Sequence, residues 1–329
     1  MKAVVFDEKL KVVTDYPKPA PKKGEALIKV SVAGVCNTDK EITKGYMGYK
    51  GVLGHEFVGT VVEINGEDKS LLGKRVVGEI NCCCDACGWC YQELQRHCPN
   101  RETLGIWNKD GCFSEYFTLP VSNLLEVPEN VSDEEAVFVE PLAAALEILE
   151  QLHIKPDDEV VVLGDGKLGL NIALALNSSN LNVLLVGKSP VKMSIAANQN
   201  VKTIHFDDFK KECADAPAAG KEKKYPVVIE ATGTVTGFET AISLTRPRGT
   251  LVLKSTVATG KELNLAPIVI DEITILGSRC GQFAPALRLL ASKRIDLKPL
   301  ISAKYPVNNA IEAFEKNNEA EVLKVLLTF

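Results

Sequence analysis

A glycine-rich loop directly after an apolar strand is the feature that most limits what this chain can fold into. The apolar run at 160–163 leads into the sequence GDGKLG at 164–169, and an apolar helical stretch follows to Leu176. In a strand–loop–helix unit the first glycine permits a tight turn, the second lets the backbone approach a pyrophosphate, and the third allows close packing. The helix start also offers unpaired N–H groups to that anion. We therefore predict a dinucleotide-binding loop at Gly164, Gly166, Lys167, Leu168 and Gly169.

The surrounding pattern places this loop in a parallel sheet. From about residue 142, β-branched runs at 160–163, 183–186, 227–230, 250–253 and 273–276 alternate with helical stretches, which is typical of a doubly wound α/β domain. Before about residue 125, short β-branched runs broken by Gly, Pro and Asp favour a mainly antiparallel β domain. After residue 277, helical stretches at 284–292 and 309–317 and a final strand at 322–327 return to that first domain.

Composition is that of an ordinary globular chain. The 329 residues are 46% hydrophobic and 25% charged, and the net charge is −5, so two domains with real cores are expected. We find neither an apolar run of the roughly 18 residues that a membrane span needs nor an apolar leader at the N-terminus. The acidic balance disfavours binding to phosphate backbones. We predict a cytoplasmic protein with neither a membrane nor a nucleic-acid partner.

The end of the second strand bears on which dinucleotide binds. An NAD site usually carries Asp or Glu about twenty residues after the loop, on the ribose 2′-hydroxyl. Here the sequence reads VGKSPVK at 186–192, without a carboxylate. A small residue with lysines and a serine suits a 2′-phosphate, because charge-assisted hydrogen bonds would hold it. The sequence therefore favours NADP(H) over NAD(H), bound by Gly187, Lys188, Ser189 and Lys192.

Cysteine spacing predicts a closed metal site. Six of the ten cysteines fall between Cys82 and Cys98. Three of them are spaced as C-x-x-C-x-x-C, with a fourth following, which suits tetrahedral zinc in a structural role. The predicted ligands are Cys84, Cys87, Cys90 and Cys98; Cys82 and Cys83 complicate the choice, but only Cys84 keeps the even spacing. The rival interpretation, a zinc ribbon on nucleic acid, is disfavoured by the acidic chain.

A second donor set is dispersed along the chain. Cys36 follows Gly34-Val35, His55 and Glu56 follow Gly54, and Glu140 precedes Pro141. Each segment alone is unremarkable, since a single Cys or His beside glycines is more often packed than ligating. Together they offer sulfur, nitrogen and oxygen, as a catalytic zinc with an open position requires.

These motifs, in this order, resemble the medium-chain, zinc-dependent alcohol and polyol dehydrogenase family over essentially the whole chain. The resemblance implies a GroES-like, β-rich catalytic domain at 1–141 and 279–329, a Rossmann domain at 142–278, and an active site in the cleft. It implies one catalytic and one structural zinc per chain. The catalytic ligands would be Cys36, His55 and Glu140, with Glu56 able to approach the metal when water or substrate leaves.

The resemblance also assigns roles in proton transfer. Thr38 matches the hydroxyl that takes the proton of the substrate, whose pKa the zinc lowers, while hydride passes to the nicotinamide. Asp39 matches the carboxylate that holds His55 by its other ring nitrogen. Glu41 stands where many members carry a relay histidine, so it is the candidate carrier on an outer proton path that differs from theirs. Position 140, where many simple alcohol dehydrogenases have a cysteine as third ligand, is a glutamate, and in this the chain resembles the polyol, threonine and sugar dehydrogenase branches.

The sequence thus predicts a zinc oxidoreductase acting on a secondary alcohol, polyol or sugar. One alternative is a simple alcohol dehydrogenase or aldehyde reductase using the same site. Another is a non-catalytic dinucleotide-binding protein in which zinc only stabilises the fold. Members of the family associate through the edge of the Rossmann sheet, so a homodimer or homotetramer is expected, with 272–277 as the edge strand.

Overall fold

Both ends of the chain build the same structural unit. The computed structural model describes residues 1–215, 222–256 and 263–329. Unit 1 comprises Met1–Glu140, Gln282–Lys293 and Leu297–Phe329, and unit 2 comprises Pro141–Gly281 and Arg294–Asp296. The units thus divide after residues 140 and 281, where the sequence predicts divisions after 141 and 278.

The described residues form the following strands and helices, numbered in chain order. The strands are β1 Ala3–Asp7, β2 Lys9–Val13, β3 Glu25–Val35, β4 Gly51–Val52, β5 Glu56–Ile64, β6 Arg75–Gly78, β7 Asn81–Cys82, β8 Glu102–Leu104, β9 Asn108–Lys109, β10 Tyr116–Pro120, β11 Leu124–Glu126, β12 Glu159–Leu163, β13 Asn182–Gly187, β14 Lys202–His205, β15 Tyr225–Glu230, β16 Thr245–Leu253, β17 Thr274–Gly277, β18 Ile301–Pro306 and β19 Lys324–Thr328. The helices are α1 Asn37–Ile42, α2 Gly88–Tyr91, α3 Asp133–Ala136, α4 Val139–Gln151, α5 Lys167–Ser178, α6 Pro190–Ala197, α7 Phe206–Asp215, α8 Val235–Leu244, α9 Ala266–Ile270, α10 Phe283–Ala291 and α11 Ala310–Lys316.

Unit 2 is built on a parallel sheet. In the described residues its six strands follow the order β14-β13-β12-β15-β16-β17, all pairings parallel. This is the doubly wound order 3-2-1-4-5-6. Residues 160–163 of β12 are all buried, as expected for a central strand covered on both faces, and this explains the continuous apolar run. The predicted doubly wound sheet is confirmed.

Unit 1 is mainly antiparallel, as predicted. Its largest sheet has the order β11-β6-β5-β3-β19-β18, with β10 also pairing with β3. The last strand, β19, runs antiparallel to β3 with Val325 opposite Val35. This pairing brings the C-terminal strand beside the end of β3, next to Cys36. Both parts of the predicted fold class, a β-rich domain built from the two chain ends and a doubly wound domain between them, are therefore present.

Some elements escape the sequence pattern. The structure adds β14 and α7 between 187 and 227, where the sequence suggests one helix, and adds β18 before the last helix. Both strands are short, and their residues are half-buried or exposed, because each lies towards an edge of its sheet. The periodic apolar signal of a strand is therefore weak there. In the described residues no helix is long and apolar enough to cross a membrane.

The contribution of the C-terminal helix to unit 1 can be tested through Phe314. Its ring lies edge-to-face on the fully buried Phe113, with centroids 6.0 Å apart. Phe314→Ala should lower the free energy of unfolding by about 3–5 kcal/mol, because it leaves a cavity in the core. Ile311→Ala, on the same helix but 37% exposed, should cost clearly less. Urea denaturation measures both, and equal losses would contradict the assignment of this helix to the core.

Candidate functional site

The segment after β3 holds Cys36 at the start of α1. Cys36 is the N-cap residue, with φ −98° and ψ 159°, and Asp39 is the third residue of the helix. Oδ2 of Asp39 accepts a hydrogen bond of 2.8 Å from the backbone N–H of Cys36, which is one half of a capping box. The Cys36 backbone is therefore fixed by a carboxylate that belongs to its own turn.

The other oxygen of Asp39 faces His55. Oδ1 lies 3.3 Å from Nδ1 of His55, and both side chains are buried. Burial lowers the pKa of His55, but the Asp39 carboxylate and the Cys36 sulfur raise it more, so the pKa lies well above its usual value. One buried carboxylate thus joins the two predicted zinc ligands.

Three predicted ligands come together. The donor atoms of Cys36, His55 and Glu56 all lie within 4.8 Å of one another. Among the described residues, the buried Oδ1 of Asp39 and Nδ1 of His55 lack a hydrogen bond of good geometry. A cation held by this cluster would hold the imidazole ring and orient it towards Asp39, as in carboxylate–histidine–zinc triads. The residues present therefore fit a zinc ion.

Glu56 has a partner that the sequence did not reveal. Nζ of Lys324, the first residue of β19, donates to Oε2 of Glu56, and both side chains are buried. Burial lowers the pKa of Lys324, but Glu56 and Cys36 raise it by more than burial lowers it, so the net shift of this pKa is upward. The only signal in the sequence is a lysine inside the apolar run 322–327, an unusual position for an unpaired charge.

Glu140 lies near this cluster but outside its closest group. It is at the start of α4 and half-buried. Burial raises its pKa to about 7; His55 and Lys324 lower the value, whereas Glu56 and Glu79 raise it. The structure therefore groups Cys36 and His55 with Glu56 rather than with Glu140, whose role as third ligand stays a prediction.

The two predicted proton carriers differ in their surroundings. Oγ1 of Thr38 lies 3.7 Å from Sγ of Cys36, at the edge of the cluster. Glu41 is on the exposed side of α1, where its carboxylate pairs with Lys44 at 2.8 Å. The structure thus brings Thr38 to the candidate metal site, whereas Glu41 is held in a solvent-exposed ion pair.

Four cysteine sulfurs form a second centre. Sγ of Cys87 lies 3.5 Å from that of Cys90 and 3.7 Å from that of Cys98, which in turn lies 3.5 Å from Sγ of Cys84. Tetrahedral zinc with bonds of about 2.3 Å places its sulfur ligands about 3.8 Å apart, so these four thiols fit a zinc ion with little adjustment.

Cys84 and Cys83 differ in their contacts. Sγ of Cys83 lies 3.0 Å from Oδ1 of Asp85, and burial together with that carboxylate raises its pKa to about 11. The pKa of Cys84 falls to about 6, because the backbone N–H of Ala86 and then Asn100 and Cys98 donate hydrogen bonds to it. Since a metal ligand must be a thiolate, Cys84 suits this role better than Cys83.

The glycine loop adopts the geometry that its sequence predicts. Gly164 has φ +113°, and a Cβ there would lie 2.8 Å from the carbonyl oxygen of Ala231. A Cβ on Gly169, in the first turn of α5 with Lys167 and Leu168, would collide with the Gly164 carbonyl. Gly166 faces open space, which leaves room for a ligand at the helix start. The turn and the close packing are therefore as expected for a pyrophosphate loop.

The end of β13 differs from the sequence prediction. A carboxylate does stand there, because Asp165 of the glycine loop reaches it: Oδ2 accepts hydrogen bonds from the backbone N–H groups of Lys188 at 2.8 Å and Ser189 at 2.6 Å. Nζ of Lys188 lies 5.1 Å above the ring of Phe206, and Oγ of Ser189 caps α6 by accepting from Lys192 N. Residues 186–192 contain no acid of their own, as their sequence shows, but Asp165 brings a carboxylate to this strand end that the sequence alone did not predict.

Both parts of the chain match described families. Residues 22–129 match the family described as "Alcohol dehydrogenase GroES-like domain", and residues 167–292 match "Zinc-binding dehydrogenase". The chain is 31% identical to D-arabinitol dehydrogenase 1 of Uromyces fabae over 313 residues, which cover 92% of this chain and 89% of the relative.

Two solved structures resemble the whole chain. An alcohol dehydrogenase from E. coli CFT073, complexed with NADH, superposes with a TM-score of 0.91 at 26% identity, covering 100% of this chain and 99% of the other. A zinc-binding dehydrogenase from Sinorhizobium meliloti 1021, bound to NADP, gives 0.89 at 27% identity with the same coverage.

The ligand choice at the four-cysteine centre can be tested by metal analysis. Cys84→Ser should lose one zinc ion per chain, because a serine hydroxyl is a poor substitute for a thiolate. Cys83→Ser is the matched control and should keep the full zinc content of the unaltered protein. Elemental analysis after gel filtration measures both. Loss of zinc from the Cys83 variant alone would contradict the assignment.

The role of Asp39 can be tested by zinc competition. Asp39→Asn should weaken zinc at the Cys36–His55 site by about 10–100-fold, because the carboxylate that orients the imidazole is lost. Asp15→Asn, an exposed aspartate in the same unit, should leave it unchanged. A chromophoric chelator measures the affinity, and circular dichroism checks that both variants are folded. Unchanged affinity in the Asp39 variant would show that its contact with His55 does not support the metal.

Proposed function

Because the chain belongs to the medium-chain, zinc-type alcohol and polyol dehydrogenase family, we propose that it oxidises a secondary alcohol of a polyol or sugar with a nicotinamide dinucleotide. In this reaction the alcohol R₂CHOH and the oxidised dinucleotide give the ketone R₂C=O, the reduced dinucleotide and a proton. The observation that carries the proposal is the cluster of the half-buried Cys36 and the buried His55, with Thr38 at its edge.

The chemistry of a bound zinc suits this cluster. Zinc would be held by Cys36, His55 and an acidic side chain, Glu140 or Glu56, and it would act as a Lewis acid that favours deprotonation of a substrate hydroxyl. The residues of the chain supply the rest. Asp39 fixes the Cys36 backbone by a hydrogen bond, and its other oxygen lies 3.3 Å from Nδ1 of His55, where it can orient the ring of a metal-bound histidine.

Thr38 is the group proposed to take the proton. Its hydroxyl can accept a proton from the substrate and pass on its own, and its Oγ1 lies 3.7 Å from a proposed metal ligand, Cys36 Sγ. Lys324 neutralises Glu56 in the same buried region. Glu41 has no part in this proposal, because it pairs with Lys44 in solvent.

The substrate class rests on the relatives and on Glu140. D-arabinitol dehydrogenase 1 is named for a polyol. With an acidic residue at position 140, this chain resembles the polyol and sugar branches of the family. The neighbouring structures contain NADH in one case and NADP in the other, so the dinucleotide preference has to be argued from this chain's own residues.

A rate assay tests the proposal. Initial rates with NAD⁺ and NADP⁺ across pentitols, hexitols, aldoses and simple alcohols should show clear reduction of one dinucleotide with a polyhydroxylated substrate. Activity on monohydric alcohols alone would favour a simple alcohol dehydrogenase. Silence of the whole panel in zinc-loaded protein that binds dinucleotide would overturn the catalytic proposal.

The proton-transfer role predicts a specific pattern at Thr38. Thr38→Ala should lower kcat by about 10²-fold or more, because the hydroxyl that takes the proton is removed, whereas Thr38→Ser should keep most of it. Thr43→Ala, which removes a hydroxyl that donates to the Lys40 carbonyl of the same helix, should change kcat little. Zinc content should be equal in all three variants. A Thr38→Ala enzyme as active as the unaltered protein would exclude this role.

We further propose that the chain forms a homodimer, alone or within a tetramer, through the β17 edge of unit 2. In the described residues β17 pairs only with β16, so its outer edge is open. Beside it, α9 exposes Val269 and Ile270 by 76% and 77%, and β17 itself exposes Ile275 by 38%. Apolar side chains exposed next to an open strand edge are typical of a subunit interface.

Charge placed on this surface should separate the subunits. The double variant Val269→Asp/Ile270→Asp should elute as a monomer in gel filtration with light scattering, because each interface would bury unpaired carboxylates. Val191→Asp, 70% exposed on α6, is the control and should keep the oligomeric state. A double variant that keeps its full oligomeric mass would contradict this interface.

A further inference from the structure

The aspartate inside the glycine loop carries an inference beyond the reaction class. Asp165 follows the first glycine of the loop, and its carboxylate lies at the carboxyl end of β13 rather than over the loop itself. A Cβ at Gly187 would lie 2.7 Å from both Cβ and Oδ2 of Asp165. The glycine at the end of β13 therefore leaves the space that this side chain occupies.

The position of this carboxylate is where the adenosine ribose binds in a doubly wound sheet. There, an acid at the end of the second strand accepts hydrogen bonds from the ribose hydroxyls. In this chain the second strand ends in Gly187-Lys188-Ser189, without an acid of its own. Asp165 supplies the carboxylate from the neighbouring loop, and two backbone N–H groups hold its Oδ2 in place.

The same contacts oppose a 2′-phosphate. The N–H groups of Lys188 and Ser189, which would bind the phosphate oxygens, already donate to Asp165. The Lys188 ammonium group lies over the Phe206 ring, and the Ser189 hydroxyl accepts from the N–H of Lys192. A phosphate would have to displace these contacts while facing a carboxylate of like charge.

We propose that Asp165 selects NAD(H) over NADP(H), by accepting a hydrogen bond from the ribose 2′-hydroxyl and repelling a 2′-phosphate. This reverses the NADP(H) preference that the lysines at 188 and 192 suggest. The inference rests on the proposed function only in that a dinucleotide binds at this loop; it does not depend on the alcohol that is oxidised.

Calorimetric binding of NAD⁺ and NADP⁺ to the full chain tests this without any substrate. The unaltered protein should bind NAD⁺ at least about tenfold more tightly than NADP⁺ at low salt. Asp165→Asn, nearly equal in size but uncharged, should reduce the ratio of NAD⁺ to NADP⁺ affinity by about tenfold or more. Asp165→Ser, which also removes the carboxylate, should reduce this ratio too. Asp157→Asn, an exposed aspartate before β12, is the matched control and should leave the ratio unchanged.

Each outcome separates this inference from the proposed function. Tighter binding of NADP⁺ than of NAD⁺ by the unaltered protein would overturn the role of Asp165, even if polyols are oxidised. So would an Asp165→Asn variant whose ratio of NAD⁺ to NADP⁺ affinity is within about twofold of that of the unaltered protein. A strong NAD⁺ preference that Asp165→Asn abolishes would support that role even if every alcohol in the panel is silent. In the unaltered protein, higher salt should bring the ratio of NAD⁺ to NADP⁺ affinity closer to one, because salt screens the repulsion between the Asp165 carboxylate and the 2′-phosphate.

Discussion

The candidate active site depends on carboxylates that are buried together. Asp39 and Glu56 are buried close to Cys36, and Glu140, which is half-buried, lies near His55. Among the described residues, their charge is balanced by the ammonium group of Lys324 and by His55. Burying carboxylates is costly unless they are paired. A divalent cation at the Cys36–His55 cluster would take the place of the His55 proton and balance a Cys36 thiolate, so these donors together fit a metal better than they fit a simple core.

This arrangement also explains why both ends of the chain are needed in one unit. Lys324 reaches Glu56 because β19 pairs with β3, the strand that leads into Cys36. Removing the C-terminal strand would leave Glu56 buried without its cation. The early and late segments are thus coupled by an ion pair as well as by the apolar packing of Phe314 on Phe113.

The sequence predicted what local patterns determine. Strand and helix alternation, the glycine loop and the even cysteine spacing each follow from neighbouring residues, and the structure has the corresponding elements. The sequence could not predict which distant residues a side chain contacts after folding. Asp165 reaches the end of another strand, and Lys324 pairs with a residue far along the chain, so neither contact has a local signature. Glu41 shows the converse: its family position suggested a role in proton transfer, and only the structure shows that its carboxylate pairs with Lys44 in solvent.

The residues of this fold are arranged to hold two different metal ions, one among four cysteine sulfurs and one at Cys36 and His55. Anomalous diffraction from crystals of the zinc-loaded protein, recorded on both sides of the zinc absorption edge, would locate both ions. We expect two zinc peaks per chain, one enclosed by Cys84, Cys87, Cys90 and Cys98 and one contacting Cys36 and His55. A chain fully loaded with zinc that shows a peak at the four cysteines but none at Cys36 and His55 would contradict it.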